Sequence, residues 1–431
     1  MAMSVSECLE RAPATSKEIQ ALTGLGQTAV ARHIRSMGDR VIALKAGRSI
    51  RYAMTRNAFG CDDNLPLSMV DANGSTVLVA VIRPLAHGGF FVEEVTGMPR
   101  LLLGESGNGL YDDLPYFLSD LAPQGFIGRK ITAELASCSD SFPSDPRRWN
   151  SNHIGRYLIS NGEDLHGNFK FGIQASSRIR RKPVHVTRED YPGLADSIMS
   201  GEVVESSAGG EQPKFTAYCS ERSAHVIVKF SPKGEGEIAR RWRDVLITEY
   251  HATKALLSHS LPAAETVLFE KEGRLFLESK RFDRSGEYGR VSMVSLSSVD
   301  AEFVGSGENW LQAMDGLLHQ NLIAEFHYYD AKILWAFGKL INNTDMHLGN
   351  LSLGMEGSVF RLRPIYDMCS MGFAPKGSGE IPPLEFTAPS FAAAELDESK
   401  TNKVIRAARD FWSGVASDDR ISDEFKMFLT Q

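Results

Sequence analysis

The sequence predicts an α+β chain in two parts: a small helical unit ending in a β-hairpin, then a two-lobed body that is β-rich first and helical after. Three observations predict it. Residues 5–56 read as short helices separated by turns, followed by two short apolar and β-branched runs. Those first 56 residues carry nine Lys/Arg against four Asp/Glu, a balance of +5; the whole chain is −7, so the remainder carries −12. Strand-like runs crowd residues 76–285, whereas helical spacing dominates 286–431.

With 431 residues, 42% hydrophobic and 23% charged, the chain has the composition of a soluble protein of two or three domains. No run approaches the ~18 apolar residues that span a bilayer, so no membrane partner is expected. Met1 to Arg11 lacks a basic stretch followed by an apolar one, so no signal peptide is expected. Cys8, Cys61, Cys138, Cys219 and Cys369 are dispersed without C-x-x-C spacing. That argues against a disulfide framework or a zinc site and fits a reducing cytoplasm.

In the front unit, Ser4 to Arg11 has helical spacing and Pro13 ends it. Thr15 or Ser16 can cap a second helix, Lys17 to Thr23, and Gly24-Leu25-Gly26 makes the turn. Gln27 to Met37 forms a third helix with Val30, Ile34 and Met37 on its apolar face. Val41–Leu44 and Ser49–Ala53 are strands around Lys45-Ala46-Gly47-Arg48. This order predicts a winged helix-turn-helix over 1–56. Gln27, Thr28, Arg32, His33 and Arg35 then lie on the recognition helix, and Lys45, Arg48 and Arg51 on the wing, where cations meet DNA phosphates. The alternative is a winged helix used only for protein contacts; the basic wing favours DNA.

Residues 57–75 are polar and turn-rich and read as a linker. Over 76–200 a subdomain follows. Val77–Val81, Gly88–Val92 and Arg100–Leu103 read as strands, and the Leu and Phe positions of 114–121 as core. Ile131–Ala136 and Asn150–Ile159 read as helices.

Residues 201–285 carry the first chemistry. Ser206-Ser207-Ala208-Gly209-Gly210-Glu211-Gln212-Pro213-Lys214 leads into a strand from Phe215. Such a loop can cradle phosphate with backbone N–H groups, although it is neither a Walker A nor a G-x-G-x-x-G sequence. Lys229 sits in the apolar strand 224–230, and Glu249 follows 20 residues later in a long helix, roughly 238–257. Protein kinases pair a strand Lys with a helix Glu at the ATP phosphates. A solvent-facing Lys and a solvated Glu are the plainer alternatives. Leu275–Lys280 reads as the strand before a hinge, so Glu278 to Arg281 is expected at the adenine edge.

In the helical lobe, 286–431, a helix over Tyr329–Leu340 delivers Thr344-Asp345-Met346-His347-Leu348-Gly349-Asn350. Asn350 lies five residues after Asp345, and Asp367 follows the strand 359–362 a further 17 residues on. A kinase needs one carboxylate to accept or orient the nucleophile's proton. It needs an amide oxygen and a second carboxylate for a hard cation such as Mg²⁺. D-x-x-x-x-N alone is a common turn. The succession of glycine loop, strand Lys, helix Glu, hinge, D-x-x-x-x-N and strand-end Asp is specific to a two-lobed kinase fold.

The loop 207–215, Arg281-Phe282-Asp283-Arg284, Thr344 to Asn350, Pro364-Ile365-Tyr366-Asp367 and the 114–125 segment resemble the HipA-type serine/threonine kinases of bacterial toxin–antitoxin systems. The resemblance covers roughly 75–415, and the fused front unit resembles most the YjjJ (HipH) branch. It implies ATP and Mg²⁺ as cofactors, with Asp345 catalytic and Asn350 and Asp367 on the metal. Lys229, Ser207, Gly209, Gly210, Gln212, Lys214 and His347 join Glu278 at ATP. It implies autophosphorylation at Ser207 or the adjacent Ser206, where added negative charge would repel ATP phosphates. The partners it implies are a protein substrate, of the translation machinery in known members, and a separate antitoxin. The front unit implies DNA, and a homodimer to match two half-sites. Two other readings stay open: a DNA-binding regulator whose kinase fold senses nucleotide, and a metal-dependent nuclease. The nuclease would leave Lys229 and the glycine loop without a task.

Overall fold

The structure is a computed structural model that describes residues 3–46, 49–139, 141–162, 164–173, 182–200 and 212–430, with the backbone alone at Lys45 and Ala46. In the front unit, local signals set each boundary. Helix α1 (Val5–Arg11) starts on a reciprocal Ser4–Glu7 capping box, and α2 (Ser16–Thr23) on Thr15–Glu18. Gly24, at φ 73°, ends α2 in the left-handed region that glycine enters without penalty. Helix α3 is Gln27–Ser36, with Val30 buried and Ile34 and Met37 packed against the same core. Strand β1 (Ala14–Thr15) joins the hairpin of β2 (Val41–Ala46) and β3 (Ser49–Met54) in the order β1-β3-β2.

The front unit is not a bead on a string. Arg56 N donates to Pro84 O at 2.9 Å and Ala86 N to Met54 O at 2.8 Å. The Arg83 guanidinium, buried in the next sheet, reaches Asp39 O at 2.8 Å and Asp63 Oδ2 at 3.1 Å. Leu44, Ala53 and Leu85 close a small shared core.

That next sheet corrects the expected linker. Leu65–Val70 is strand β4, inside a sheet of order β7-β6-β5-β4-β8 with β5 (Thr76–Pro84), β6 (Phe90–Glu94), β7 (Leu110–Tyr111) and β8 (Phe169–Phe171). The turn residues at 57–64 and 71–75 flank an alternation in which Leu65, Leu67 and Val70 are buried. Arg100–Leu103, expected as a strand, is a 3₁₀ turn that buries three consecutive leucines. Leu114, Phe117, Leu118 and Leu121 are core as expected. Helices α4 (Tyr116–Ser119), α5 (Gly125–Cys138) and α6 (Ser151–Asn161) complete this layer.

The second sheet runs β12-β13-β11-β10-β9, with β9 (His185–Val186), β10 (Lys214–Cys219), β11 (Ala224–Phe230), β12 (Thr266–Lys271) and β13 (Arg274–Lys280). Its outer face buries Val226, Val228, Phe230 and Phe276 under Tyr191 and Ala195 of α7 (Tyr191–Ser200). Residues 185–200 therefore pack with this sheet and not with the subdomain expected over 76–200. Its inner face meets the 22-residue α8 (Glu237–Ser258). The short β14 (Arg284–Ser285) and β15 (Gly289–Arg290) lead to the helical lobe, α9 (Leu296–Phe303), α10 (Trp310–His319), α11 (Glu325–Leu340), α12 (Glu398–Ser417) and α13 (Asp423–Leu429). Within it β16 (Val294–Ser295), β17 (Ser352–Glu356) and β18 (Val359–Leu362) carry the site loops.

Burial pushes the imidazoles of His225 and His251 below their ordinary range, ahead of the opposing pull of Glu287 O and of Asp418. A depressed folded pKa contributes stability that is present above the unfolded value, about 6.5, and is lost as pH falls through the folded value. The urea midpoint should therefore fall between about pH 7.5 and about pH 5.5. An unchanged or rising midpoint would contradict this.

Candidate active site

Strand alternation positions the first half of the site. Lys214 faces Lys229 across the β10–β11 ladder, and Thr216 faces Ile227, so these side chains share the inner face of the second sheet. Lys229 Nζ lies 2.6 Å from both Glu249 carboxylate oxygens and 2.6 Å from Asp367 Oδ1. The Lys229 and Glu249 side chains are nearly inaccessible, whereas Asp367 keeps 31% of its side-chain surface. Burial alone would push the Lys229 ammonium down; Asp367 and then Glu249 outweigh it and hold it above the ordinary lysine range. Burial likewise opposes ionisation of Asp367, but Lys229 and then Lys214 hold its carboxyl well below the usual range. For Glu249 burial prevails and the shift is upward.

The second half comes from the segment after α11. Asn343 Oδ1 accepts from Asp345 N at 3.0 Å, turning the chain so that the Asp345 side chain faces solvent, 49% exposed. Asn350 Nδ2 donates to Asp345 O at 2.7 Å and to Asp345 Oδ2 at 3.3 Å. His347 Nε2 lies 3.7 Å from Asp345 Oδ1, and Trp310 Nε1 donates to His347 O at 2.9 Å. Tyr366, next to Asp367, shares a 2.8 Å hydrogen bond with Ser352 Oγ and donates to Gly349 O at 3.2 Å. Asp367 itself has φ +53°, a left-handed conformation that Asp tolerates better than most residues and that recurs at functional sites.

These residues fit a magnesium ion. Both Asn350 Nδ2 hydrogens are directed at Asp345, which leaves its Oδ1 as the outward group. Asp367 engages Lys229 through Oδ1, leaving Oδ2. One amide and one carboxylate oxygen are a sparse set, suited to a small hard cation that completes its shell with water and phosphate. Among the described residues no cluster of three His, Cys, Asp or Glu could hold a metal.

The structure thus brings together Lys229, Lys214, Asp345, His347, Asn350 and Asp367. Ser206, Ser207, Gly209 and Gly210 lie outside the described residues, and Gln212 stands just before β10. Glu278 requires correction. It pairs with Val228, one residue out of phase with Lys229, so its side chain enters the opposite face. There it is fully buried, bonded to Tyr191 Oη at 2.7 Å and to Arg188 at 2.9 and 3.2 Å. It holds the sheet to the segment covering it and cannot present its side chain to adenine from there. Leu275, Phe276 and Leu277 are all apolar, so the sequence did not disclose which face Glu278 takes.

In the front unit Gln27, Thr28, Arg32, His33 and Arg35 are all exposed on α3. Arg51 is corrected: its guanidinium donates to Pro13 O at 2.7 and 3.2 Å and sits 3.5 Å from Glu18, tying β3 to α2. Arg48 and the Lys45 side chain lie outside the described residues.

Arg281-Phe282-Asp283-Arg284 proves to be a junction. Asp283 accepts from Arg281 at 2.9 and 3.0 Å, from Arg284 at 2.6 Å and from Gly167 N at 3.0 Å. Asp164 Oδ1 accepts from Arg281 at 3.1 Å and from Arg284 at 3.0 Å, and Arg284 also reaches Leu165 O at 2.7 Å. The Phe282 ring lies 5.8 Å from that of Tyr366. The first sheet, the strand end after β13 and the Asp367 loop therefore meet here. Asp164 was not foreseen; Asn161-Gly162-Glu163-Asp164 read as a helix-closing turn, and only the unusual Arg-x-Asp-Arg run signalled a buried need for a further carboxylate.

Comparison with known proteins agrees with this assembly of a mixed α/β, HipA-like fold around a kinase-like cleft. Residues 61–180 match the family described as YjjJ-like toxin, middle domain, and residues 206–423 the HipA-like C-terminal domain. The toxin YjjJ of Escherichia coli K12 is 35% identical over 434 residues, covering 98% of this chain and 94% of that protein. The chain belongs to the HipA-like toxin family, in its YjjJ-like branch. Among solved structures, HipA from Shewanella oneidensis MR-1, in a complex with HipB and operator DNA, superposes with a TM-score of 0.57 at 16% identity. The match covers 85% of this chain and 94% of that one. The Helicobacter pylori proinflammatory kinase CtkA, at TM-score 0.36 and 14% identity over 51% of this chain and 88% of its own, is too slight a likeness to bear on the fold. Among the described residues no helix is long and apolar enough to cross a membrane.

Proposed function

We propose that this chain is an ATP- and Mg²⁺-dependent serine/threonine protein kinase that inhibits growth in the cytoplasm. The observation that carries the reading is the Lys229 ammonium clamped at 2.6 Å by Glu249 and Asp367, on the sheet face that also carries Lys214. Two cations at that spot meet two phosphates, and Glu249 fixes the Lys229 rotamer so that little entropy is lost on binding. The nucleoside extends along the same face towards Thr216 and Ile227, away from Glu278. A divalent cation there would be held by Asn350 and Asp367 and would neutralise phosphate charge. Asp345, solvent-facing and braced by Asn350, accepts the hydroxyl proton of the entering substrate. His347 keeps positive charge near Asp345 when protonated.

Ser206 or Ser207 takes the autophosphate, and Gly209, Gly210 and Gln212 complete the phosphate loop. The test is incubation of the purified chain with Mg²⁺ and γ-labelled ATP, followed by peptide mapping. One phosphate near Ser206 or Ser207 is expected. ATP bound without phosphotransfer would move the reading to a nucleotide-sensing regulator, and no ATP binding would end it.

The front unit acts as a winged helix that binds DNA, supported by the exposed Gln27, Thr28, Arg32, His33 and Arg35 on α3 and the local balance of +5. Exchanging Arg32 and Arg35 for Ala should weaken DNA binding and lower the slope of log affinity against log salt by about two, one per lost phosphate contact. An unchanged slope would remove these residues from the interface. The protein substrate, an antitoxin and a second copy of the chain are the further partners this reading carries.

A further inference from the structure

Resting on the kinase reading, we infer that the Tyr366 hydroxyl is the positioning group that sets the spacing of the two metal-binding side chains, Asn350 and Asp367. These residues come from separate segments. Asn350 ends the 3₁₀ turn Leu348–Asn350, and Asp367 follows β18. Their carboxamide and carboxylate are free at the ends that would face a cation, so neither side chain fixes the other. Tyr366 does so from the backbone. Its hydroxyl donates to Gly349 O, the carbonyl immediately before Asn350, at 3.2 Å. The same oxygen shares a 2.8 Å hydrogen bond with Ser352 Oγ, on the other side of Asn350. One phenol thus grips the chain on both sides of Asn350, while its own backbone leads directly into Asp367 at φ +53°.

The frame behind it is stiff. The Tyr366 ring lies against Phe282 at 5.8 Å, and Phe282 stands within the buried Arg281–Asp283–Arg284 cluster. Ser352 pairs with Ser295 in the β16–β17 ladder, and Leu296 N donates to Leu351 O at 2.7 Å. Burial pushes the Tyr366 phenol upward from its ordinary range, so it stays a hydroxyl donor across the working pH range. Outer partners of this kind tune metal affinity by holding ligands at the distance the ion requires.

The test is Tyr366→Phe, which keeps the ring against Phe282 and removes only the hydroxyl, with Ser352→Ala as the companion. Mn²⁺ serves as a spectroscopic substitute for Mg²⁺, and its binding to the full-length chain with a non-hydrolysable ATP analogue is followed by electron paramagnetic resonance. Tyr366→Phe should weaken Mn²⁺ binding by about 10-fold or more. Ser352→Ala should shift it in the same direction by less. Binding of the metal-free analogue to Lys229 and Lys214 should stay the same. Saturating metal should restore phosphotransfer in Tyr366→Phe, which a merely structural loss would not allow. Mn²⁺ affinity equal to wild type in a folded Tyr366→Phe overturns this inference and leaves the kinase reading intact. A wild-type chain that binds no Mn²⁺ with the nucleotide overturns both.

Discussion

Asp345→Asn should lower phosphotransfer by about 10²- to 10⁴-fold, the usual contribution of a positioned proton acceptor, while nucleotide affinity changes little. The variant isolates the chemistry because Asn is isosteric and can still accept the 3.3 Å contact from Asn350 Nδ2. Asp345 has no bond to Lys229, Glu249 or Lys214, so the phosphate clamp is untouched. Its side chain is 49% exposed, so the fold gains or loses little. What disappears is a carboxylate able to take the hydroxyl proton. Incorporation of γ-labelled phosphate measures the rate, and equilibrium binding of an ATP analogue measures the site. A variant that phosphorylates at near wild-type rate would remove Asp345 from catalysis. One that loses binding as well would make it a structural residue.

The second large effect falls far from the chemistry. Asp283→Ala should cost about 3–5 kcal/mol, the range for removing one partner from a buried ionic cluster. Asp283 is 4% exposed, and it is the acceptor that Arg281, Arg284 and Gly167 N all share. Without it two guanidinium groups stay buried, with Asp164 as the remaining carboxylate. Because Asp164 is half-exposed, Asp164→Ala should cost clearly less. A loss of that size is a large share of the total stability of a typical domain. Thermal or urea unfolding of the two variants would show it. Equal, small effects would mean that the cluster is replaceable by water.

These two positions also show what the sequence discloses. Asp345 was readable because its neighbours stand at fixed chain distances, as do Lys229 and Glu249. A mechanism that demands a spacing leaves that spacing in the letters. The helix ends were readable for a similar local reason, through Ser4, Thr15 and Gly24. Glu278 was misread because the strand around it is apolar on both faces, which erases the alternation that reports side-chain direction. The strand at Leu65–Val70 was hidden by turn residues on both sides. Asp164 and the partners of Tyr366 were hidden because they are tertiary: Asp164 is 117 positions from Arg281, and Tyr366 is 17 from Gly349.

The left-handed backbone at Asp367, and at Asn342 with φ +58°, has a consequence for genetic dissection of the site. Mutational tolerance at these positions reports two demands at once, since a side chain that suits the chemistry must also suit the conformation. Alanine is thus a confounded probe at 367: it deletes the carboxylate and adds roughly 1–2 kcal/mol of backbone cost. Asparagine is the clean one, because it accepts the same conformation and removes only the charge. Glutamate, which keeps the charge, should fail on conformation and reach. A saturation scan at 367 would rank Asn and Gly above Ala in abundance of folded protein, while all three fall together in activity.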